Sequence, residues 1–204
     1  MRRAPLAAAV GVALAVLTAC SGAHPGGLVA GTSRVDVGSP DLVAFKKHTD
    51  IPDCPRVSAT GVDGGMPAVT VPCLGGGRSV DLAGLRGPMI VNFWQSVCHP
   101  CRQEMPALAA YARDQSAVQV LGVDILDVQP GAALQLARDS HVGYPLVADP
   151  AGNLVGQKPV PRNIGLPFTA FLDASGQVVH LEAGAMESEK AVAEAAQKYL
   201  GASG

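Results

Sequence analysis

Charge is scarce in this sequence: Asp, Glu, Lys and Arg make up 16% of 204 residues, and 15 basic against 17 acidic side chains leave a formal charge of −2. Without a basic surplus the chain has no electrostatic footprint for a polyanion, so no nucleic acid is expected as partner. A membrane-spanning run is lacking too. The apolar stretch from Leu6 to Leu17 rises about 18 Å as a helix, short of a ~30 Å hydrocarbon core. No internal repeat is visible. With 48% apolar residues the composition is globular, and since compact domains run to roughly 100–150 residues, one core plus an accessory segment is the default.

The first nineteen residues have the three parts of an export signal: Arg2-Arg3, the apolar run, and small residues before Cys20. Removing residues 1–19 takes the formal charge to −4. Leu17-Thr18-Ala19-Cys20 resembles the lipobox of bacterial lipoproteins, which implies that Cys20 becomes a lipid-modified first residue on the extracytoplasmic face of the cell membrane. Residues 20–50, rich in Gly, Ser, Ala and Pro without a sustained period, read as a flexible tether. Export also makes disulfides persistent, because thiols outside the cytoplasm are not held reduced.

Cys20 aside, four cysteines remain. Cys54 and Cys73 enclose eighteen residues rich in Gly, Val and Pro that read as a small β-hairpin, so residues 51–77 form a candidate disulfide-closed extension. A bridge there contributes about 3 kcal/mol through loop-closure entropy. The other reading is a second redox relay. Neither cysteine opens a helix or sits in a Cys-X-X-Cys spacing that lowers a thiol pKa, which favours the structural role.

Cys98 and Cys101 are different. Met89 to Trp94 is an apolar run of strand length, and from Pro100 the apolar positions Met105, Leu108, Ala109 and Ala112 recur at helical steps. Pro100 suits a first turn, which puts Cys98 at or near a helix N-cap. Free N–H donors and the helix dipole stabilise a thiolate there, so Cys98 is the candidate nucleophile. Cys101, one turn on, is placed to resolve a mixed disulfide. His99, when protonated, favours the thiolate and a more oxidising pair.

Around this centre the sequence resembles the thioredoxin-like thiol-disulfide oxidoreductases of the TlpA/ResA/CcmG type. The resemblance runs over residues 78–201 and rests on "VDLAGLRGPMIVNFW" leading into Cys98-His99-Pro100-Cys101, then "RQEMPAL", "LGVDI", "YPLVADPAGNLVG", "GLPFTAFLDASGQVV" and "AGAM". It implies that Pro167 is the family's cis-proline, shaping a face where an extended substrate adds backbone hydrogen bonds. It also implies that Glu104 handles the proton of the inner thiol and that Pro106 kinks the helix. The sequence departs from the family where Val97 replaces an aromatic and His99 a glycine, and Asn92 stands where cytoplasmic thioredoxins carry a buried aspartate. No cofactor is implied. Expected partners are thiols or disulfides of exported proteins, an extracytoplasmic or membrane redox protein that regenerates the pair, and the membrane through the lipid anchor. Members that keep apocytochrome cysteines reduced for cytochrome c maturation and members that oxidise folding clients share these motifs, so the direction stays open.

The remaining pattern gives a strand at 117–123, a helix at 131–140 with Leu134 and Ala137 inward, a short strand in "YPLVAD", a hairpin of 168–172 with 177–181, and a closing helix at 187–200. The expected class is α/β: a thioredoxin fold with a mixed central sheet, helices on both faces and an N-terminal β-hairpin extension. Two alternatives compete for the site. A thiol peroxidase, an antioxidant of the same architecture, carries threonine three residues and proline seven residues before its reactive cysteine, where this chain has Gln95 and Val91. A copper-binding metallochaperone would use Cys98 and Cys101 with His99 or His180, but no second cysteine pair stands at ligand spacing, and no metal is expected.

Overall fold

The computed structural model describes Met1 and residues 35–114, 118–163 and 165–201. The export signal read at 1–19, Cys20 and residues 20–34 of the tether lie outside the described residues, Met1 apart. Residues 1–31 and 32–204 are separate units, and the elements below belong to the second. Among the described residues no helix is long and apolar enough to cross a membrane.

The element order is α1 (Pro40–Lys46), β1 (Thr70–Val71), β2 (Val80–Asp81), a 3-10 turn (Leu82–Gly84), β3 (Met89–Trp94), α2 (His99–Asp114), β4 (Gln119–Ile125), α3 (Pro130–Asp139), β5 (Leu146–Asp149), β6 (Phe168–Leu172), β7 (Val178–Ala183) and α4 (Glu189–Leu200). Five strands form one mixed sheet in the order β5-β4-β3-β6-β7, with β3, β4 and β5 parallel and β6 and β7 each antiparallel to its inner neighbour. All six residues of β3 are buried, as a central strand covered on both faces requires, and that is why it reads as an apolar run interrupted only by Asn92. Its side chains alternate between two cores. Ile90 and Trp94 join one, and Met89, Val91 and Phe93 the other.

The α/β class of thioredoxin type is what the structure has, with one difference in its layers. Buried residues of α2, α3 and α4 all pack in the Ile90–Trp94 core, with Leu42 and Phe45 of α1 against it. The steps from β3 to β4 and from β4 to β5 run in the same direction across the sheet, so two right-handed crossovers place α2 and α3 on one face. The opposite face is covered by the 51–85 segment and the loop after β5, through Leu82, Leu85, Leu154 and Val160. Helix on that face is reduced to the single 3-10 turn among the described residues.

The N-terminal segments correct two expectations. Over 35–50 the chain is not a tether: Val37 is buried, its carbonyl accepts from Gly75 N–H at 2.8 Å, and the Arg138 guanidinium lies 4.9 Å over the Phe45 ring. Seven residues of α1 are too few to show a helical period, and the packing of α1 on α3 rather than propensity holds it. The hairpin is displaced as well. Its strands pair Thr70 with Asp81 and Val71 with Val80, and the turn uses Gly75, Gly76 and Gly77, all at positive φ, which any residue with a Cβ resists. Residues 52–61 make no backbone-to-backbone hydrogen bond among the described residues. The hairpin is stitched to β5 by Leu74 N–H to Leu146 O and Ala148 N–H to Pro72 O, and Cys54 is bridged to Cys73 with Cα atoms 5.9 Å apart.

Candidate active site

β3 delivers the chain to the loop Gln95–Val97, and α2 begins at His99, so Cys98 occupies the N-cap. The geometry is that of a cap. Cys101 N–H donates to Cys98 Sγ at 3.2 Å and Arg102 N–H to the Cys98 carbonyl at 3.2 Å. Pro100, in the first turn, has no N–H to leave unpaired. Cys98 is half-buried, Cys101 is buried, and the two are disulfide-bonded with Cα atoms 5.3 Å apart. On reduction the sulfur within reach of solvent is the one that the helix N-terminus stabilises as thiolate. His99 and Val97 are exposed beside it.

Two contacts hold the loop before Cys98. Ser96 N–H donates to Asp127 Oδ2 at 2.7 Å, and the Gln95 amide donates to the Leu126 carbonyl at 2.7 Å. Leu126 is at φ 57, a left-handed conformation uncommon for a branched side chain. Asp127 also accepts from Gln129 N–H at 2.8 Å, so one carboxylate ties the cysteine loop to the start of α3. Beside it Asp124 is 1% exposed. Burial first, then the Asp127 charge and a hydrogen bond to it, push the Asp124 carboxyl well above the usual range.

Glu104, one turn beyond Cys101, is 1% exposed. Its Oε2 accepts from Asn92 Nδ2 at 2.9 Å and its Oε1 from Met186 N–H at 3.0 Å. Asn92 donates its second N–H to Thr169 Oγ1 at 3.0 Å. Burial pushes the Glu104 carboxyl up to about 7, against the pull of the Met186 and Asn92 bonds. A carboxyl at that value exchanges a proton near neutrality, which is the property a proton acceptor for an inner thiol needs. Tyr144, fully buried, is close enough for the Glu104 charge to add to the burial that raises its own phenol.

The Leu166–Pro167 peptide is cis. Phe168 opens β6 opposite Phe93, so Pro167 lies level with Trp94, at the end of the sheet from which Cys98 emerges. Its carbonyl accepts from Gly184 N–H at 3.0 Å. Of the sequence candidates, the structure therefore groups Cys98, His99, Pro100, Cys101, Glu104 and Pro167 at one end of the sheet. Pro106 lies inside α2 on its exposed side. His180 is elsewhere: it sits on β7, stacked on Tyr199 at 3.6 Å and 3.0 Å from Glu182 Oε2. Among the described residues no group of three or more His, Cys, Asp and Glu is placed to hold a metal.

Sequence reasoning missed Asp124, Asp127, Thr169 and Tyr144. The available signal was a lone polar residue inside an apolar strand, Asp124 in "LGVDI" and Thr169 in "PFTAF", since a buried polar side chain must find a partner.

The AhpC/TSA family model matches residues 62–181. The chain is 34% identical over 103 residues to the thiol:disulfide interchange protein DsbE homolog of Paracoccus denitrificans, which covers 50% of this chain and 54% of that one. It is 33% identical over 136 residues to the thiol:disulfide interchange protein DsbE of Pseudomonas fluorescens, covering 66% and 73%. It is 34% identical over 126 residues to the thiol:disulfide interchange protein HelX of Rhodobacter capsulatus, covering 60% and 68%. Among solved structures, MTB DsbF superposes with a TM-score of 0.56 at 25% identity over 65% of this chain and 95% of that one. A secreted thiol-disulfide isomerase from Corynebacterium glutamicum shares the fold, with a TM-score of 0.58 at 22% identity over 67% and 86%.

Proposed function

The chain belongs to the AhpC/TSA family and is a thiol-disulfide oxidoreductase of the DsbE/ResA type, and from that premise we propose that it reduces disulfides of exported proteins while anchored outside the cytoplasmic membrane. The anchor is the acylated Cys20 and the clients include the cysteine pairs of apocytochromes. The cycle starts from the reduced pair. Cys98 thiolate attacks a client disulfide, one client sulfur leaves, and Cys98 is joined to the other. Cys101 then loses its proton and attacks Cys98 Sγ, releasing the client as a dithiol and closing Cys98–Cys101. A membrane or extracytoplasmic dithiol restores the pair.

The observation that carries the exchange chemistry is the buried Glu104 carboxyl at about 7, one turn from Cys101. Resolution requires a base for a thiol shielded from water, and near neutral pH this carboxylate is the group poised to take that proton. A peroxidase reading lacks its hydroxyl: position 95 is a glutamine whose amide is already committed to the Leu126 carbonyl.

Equilibration of the Cys98–Cys101 pair against defined glutathione or dithiothreitol buffers tests the direction. A potential near about −270 mV or below is expected, and one near about −120 mV would make the protein a disulfide donor instead.

A further inference from the structure

The Cys54–Cys73 bridge has an unexpected neighbour. Lys46, at the end of α1, is 7% exposed and its Nζ lies 3.3 Å from Cys73 Sγ. Among the described residues no carboxylate is within ion-pair distance of that ammonium. A structural disulfide has no use for a cation, since its sulfurs are weak acceptors, and burying a lysine head without a counter-charge costs stability. Reduction changes this balance. Asp53 acts on Lys46 only from beyond ion-pair distance, and a Cys73 thiolate in the same place gives Lys46 an anion in direct contact, so reduction strengthens the pair.

Both cysteines are buried, Cys54 at 3% and Cys73 at 1% exposed, so a donor reaches the bridge where the chain around it opens, and two features mark that place. A pocket of about 330 Å3 opens between α1 and the Gly75–Gly77 turn, with Lys46, Lys47 and Asp53 as its charged groups. A Cβ built on Gly77 would meet Cys73 Sγ at 3.8 Å and Asp53 Oδ1 at 3.9 Å, so the glycine keeps a side chain out of the space beside the bridge. On the other side, Cys54 belongs to the stretch without backbone pairing, and its neighbours Pro52 and Asp53 are exposed.

We propose that Cys54–Cys73 is a second redox centre, reduced by a dithiol donor, in which Cys73 is the leaving thiolate and Lys46 the residue that stabilises it. A donor thiolate attacks Cys54 Sγ; the Cys54–Cys73 bond breaks and its electron pair leaves on Cys73 Sγ beside Lys46. The donor's second thiol then loses its proton and attacks the donor sulfur of the mixed disulfide, and Cys54 leaves and takes a proton. The donor ends as a disulfide and two electrons have passed to the protein; counted from the neutral dithiol, one of its two protons is on Cys54 and the other went to solvent when the attacking thiolate formed. Burial lowers the pKa of the Lys46 amine from its ordinary value, with Asp53 opposing, and a thiolate at Cys73 acts in the same direction as Asp53. Because a thiol of lower pKa leaves faster, Lys46 accelerates the first step as well as favouring its product.

The test uses the full chain with Cys20→Ser, Cys98→Ser and Cys101→Ser, so that this bridge alone is read. After equilibration with dithiothreitol and glutathione buffers and alkylation, mass spectrometry gives the reduced fraction. Lys46→Met is expected to lower the equilibrium constant for reduction at least tenfold, about 30 mV for a two-electron couple, while Lys46→Arg keeps most of it. A second measurement does not depend on how Lys46 variants fold. In the same background with Cys54→Ser, the Cys73 thiolate absorbance is titrated against pH, and its midpoint is expected below the ~8.5 of a free thiol. A bridge that native protein does not yield to dithiothreitol, a Lys46→Met variant with unchanged equilibrium, or a Cys73 midpoint at or above 8.5 overturns the proposal. None of these readings depends on the direction of exchange at Cys98.

Discussion

The side-chain amide of Asn92 joins β3 to α2 by donating to Glu104 Oε2 at 2.9 Å, with its other N–H given to Thr169 on β6. A neutral amide takes the strand position beneath the helix, and the one carboxyl left at this level is on the helix. That exchange leaves Glu104 as the buried carboxyl beside the pair, the group that takes the Cys101 proton in the proposed cycle.

Glu104→Gln removes the acceptor while keeping the shape. The resolving step is expected to slow about 10²-fold, measured as release of a mixed disulfide formed on Cys98. In the unmodified protein that rate should rise as pH passes through about 7, where Glu104 ionises, and in the variant the inflection should vanish. Stability responds with its own sign. A carboxyl whose folded value lies near 7 against 4.5 unfolded contributes stability below pH 4.5 that is lost as pH rises through 7. The loss is on the order of 3 kcal/mol, and Glu104→Gln should flatten this part of the pH profile of urea unfolding.

Asn92→Asp puts a second carboxyl against Glu104. Two acids at hydrogen-bond distance cannot both ionise cheaply, so one proton is shared and the second ionisation moves up. The pH dependence of resolution should shift above its unmodified midpoint by a unit or more. A profile that stays centred near 7 would mean that Glu104 does not govern the step.

The local pieces of this site were legible and the distant ones were not. The strand Met89–Trp94, the helix start at Cys98 and the inner position of Cys101 follow from residues within a dozen positions of each other, where period and capping chemistry act. The setting of Glu104 does not, because its donors Asn92 and Met186 are 12 and 82 positions away and Thr169 is 77 from Asn92. Only the sheet order brings them together. The hairpin was misplaced for a related reason: Gly75-Gly76-Gly77 is the turn itself, whereas the cysteine spacing drew attention to the residues before it. The α1 helix escaped notice since its stability lies in Phe45 and Leu42 against the core rather than in its own composition.

Cys54→Ser opens the bridge that closes nineteen positions of chain. Loss of that closure is expected to cost about 3 kcal/mol, read as a lower urea midpoint with the Cys98-dependent reduction of a client disulfide kept within about twofold. A loss of exchange as large as that of Cys98→Ser would show instead that the two disulfides work in one relay.

Asp124 and Asp127 give a test of the loop that presents Cys98. Asp127 is committed to Ser96 and Gln129 N–H groups, whereas Asp124 is buried, and burial first and then the Asp127 charge raise its carboxyl well above the usual range. A folded value raised above 3.8 contributes stability present at low pH and lost as pH rises toward that raised value. Asp124→Asn supplies an amide that donates to Asp127 without ever ionising, so it is expected to leave stability at low pH almost unchanged and to increase it as pH rises. Asp127→Ala has the opposite character. It leaves the Ser96 and Gln129 N–H groups without their acceptor; Gln129 is exposed to water, whereas Ser96 is buried, and an unsatisfied buried group costs about 1–3 kcal/mol. Its unfolding midpoint should fall at every pH, and attack by Cys98 should slow because the loop loses its anchor. If Asp124→Asn instead destabilises at high pH, Asp124 is ionised in the fold and the carboxylate pair beneath the cysteine loop is held by a cation rather than by a shared proton.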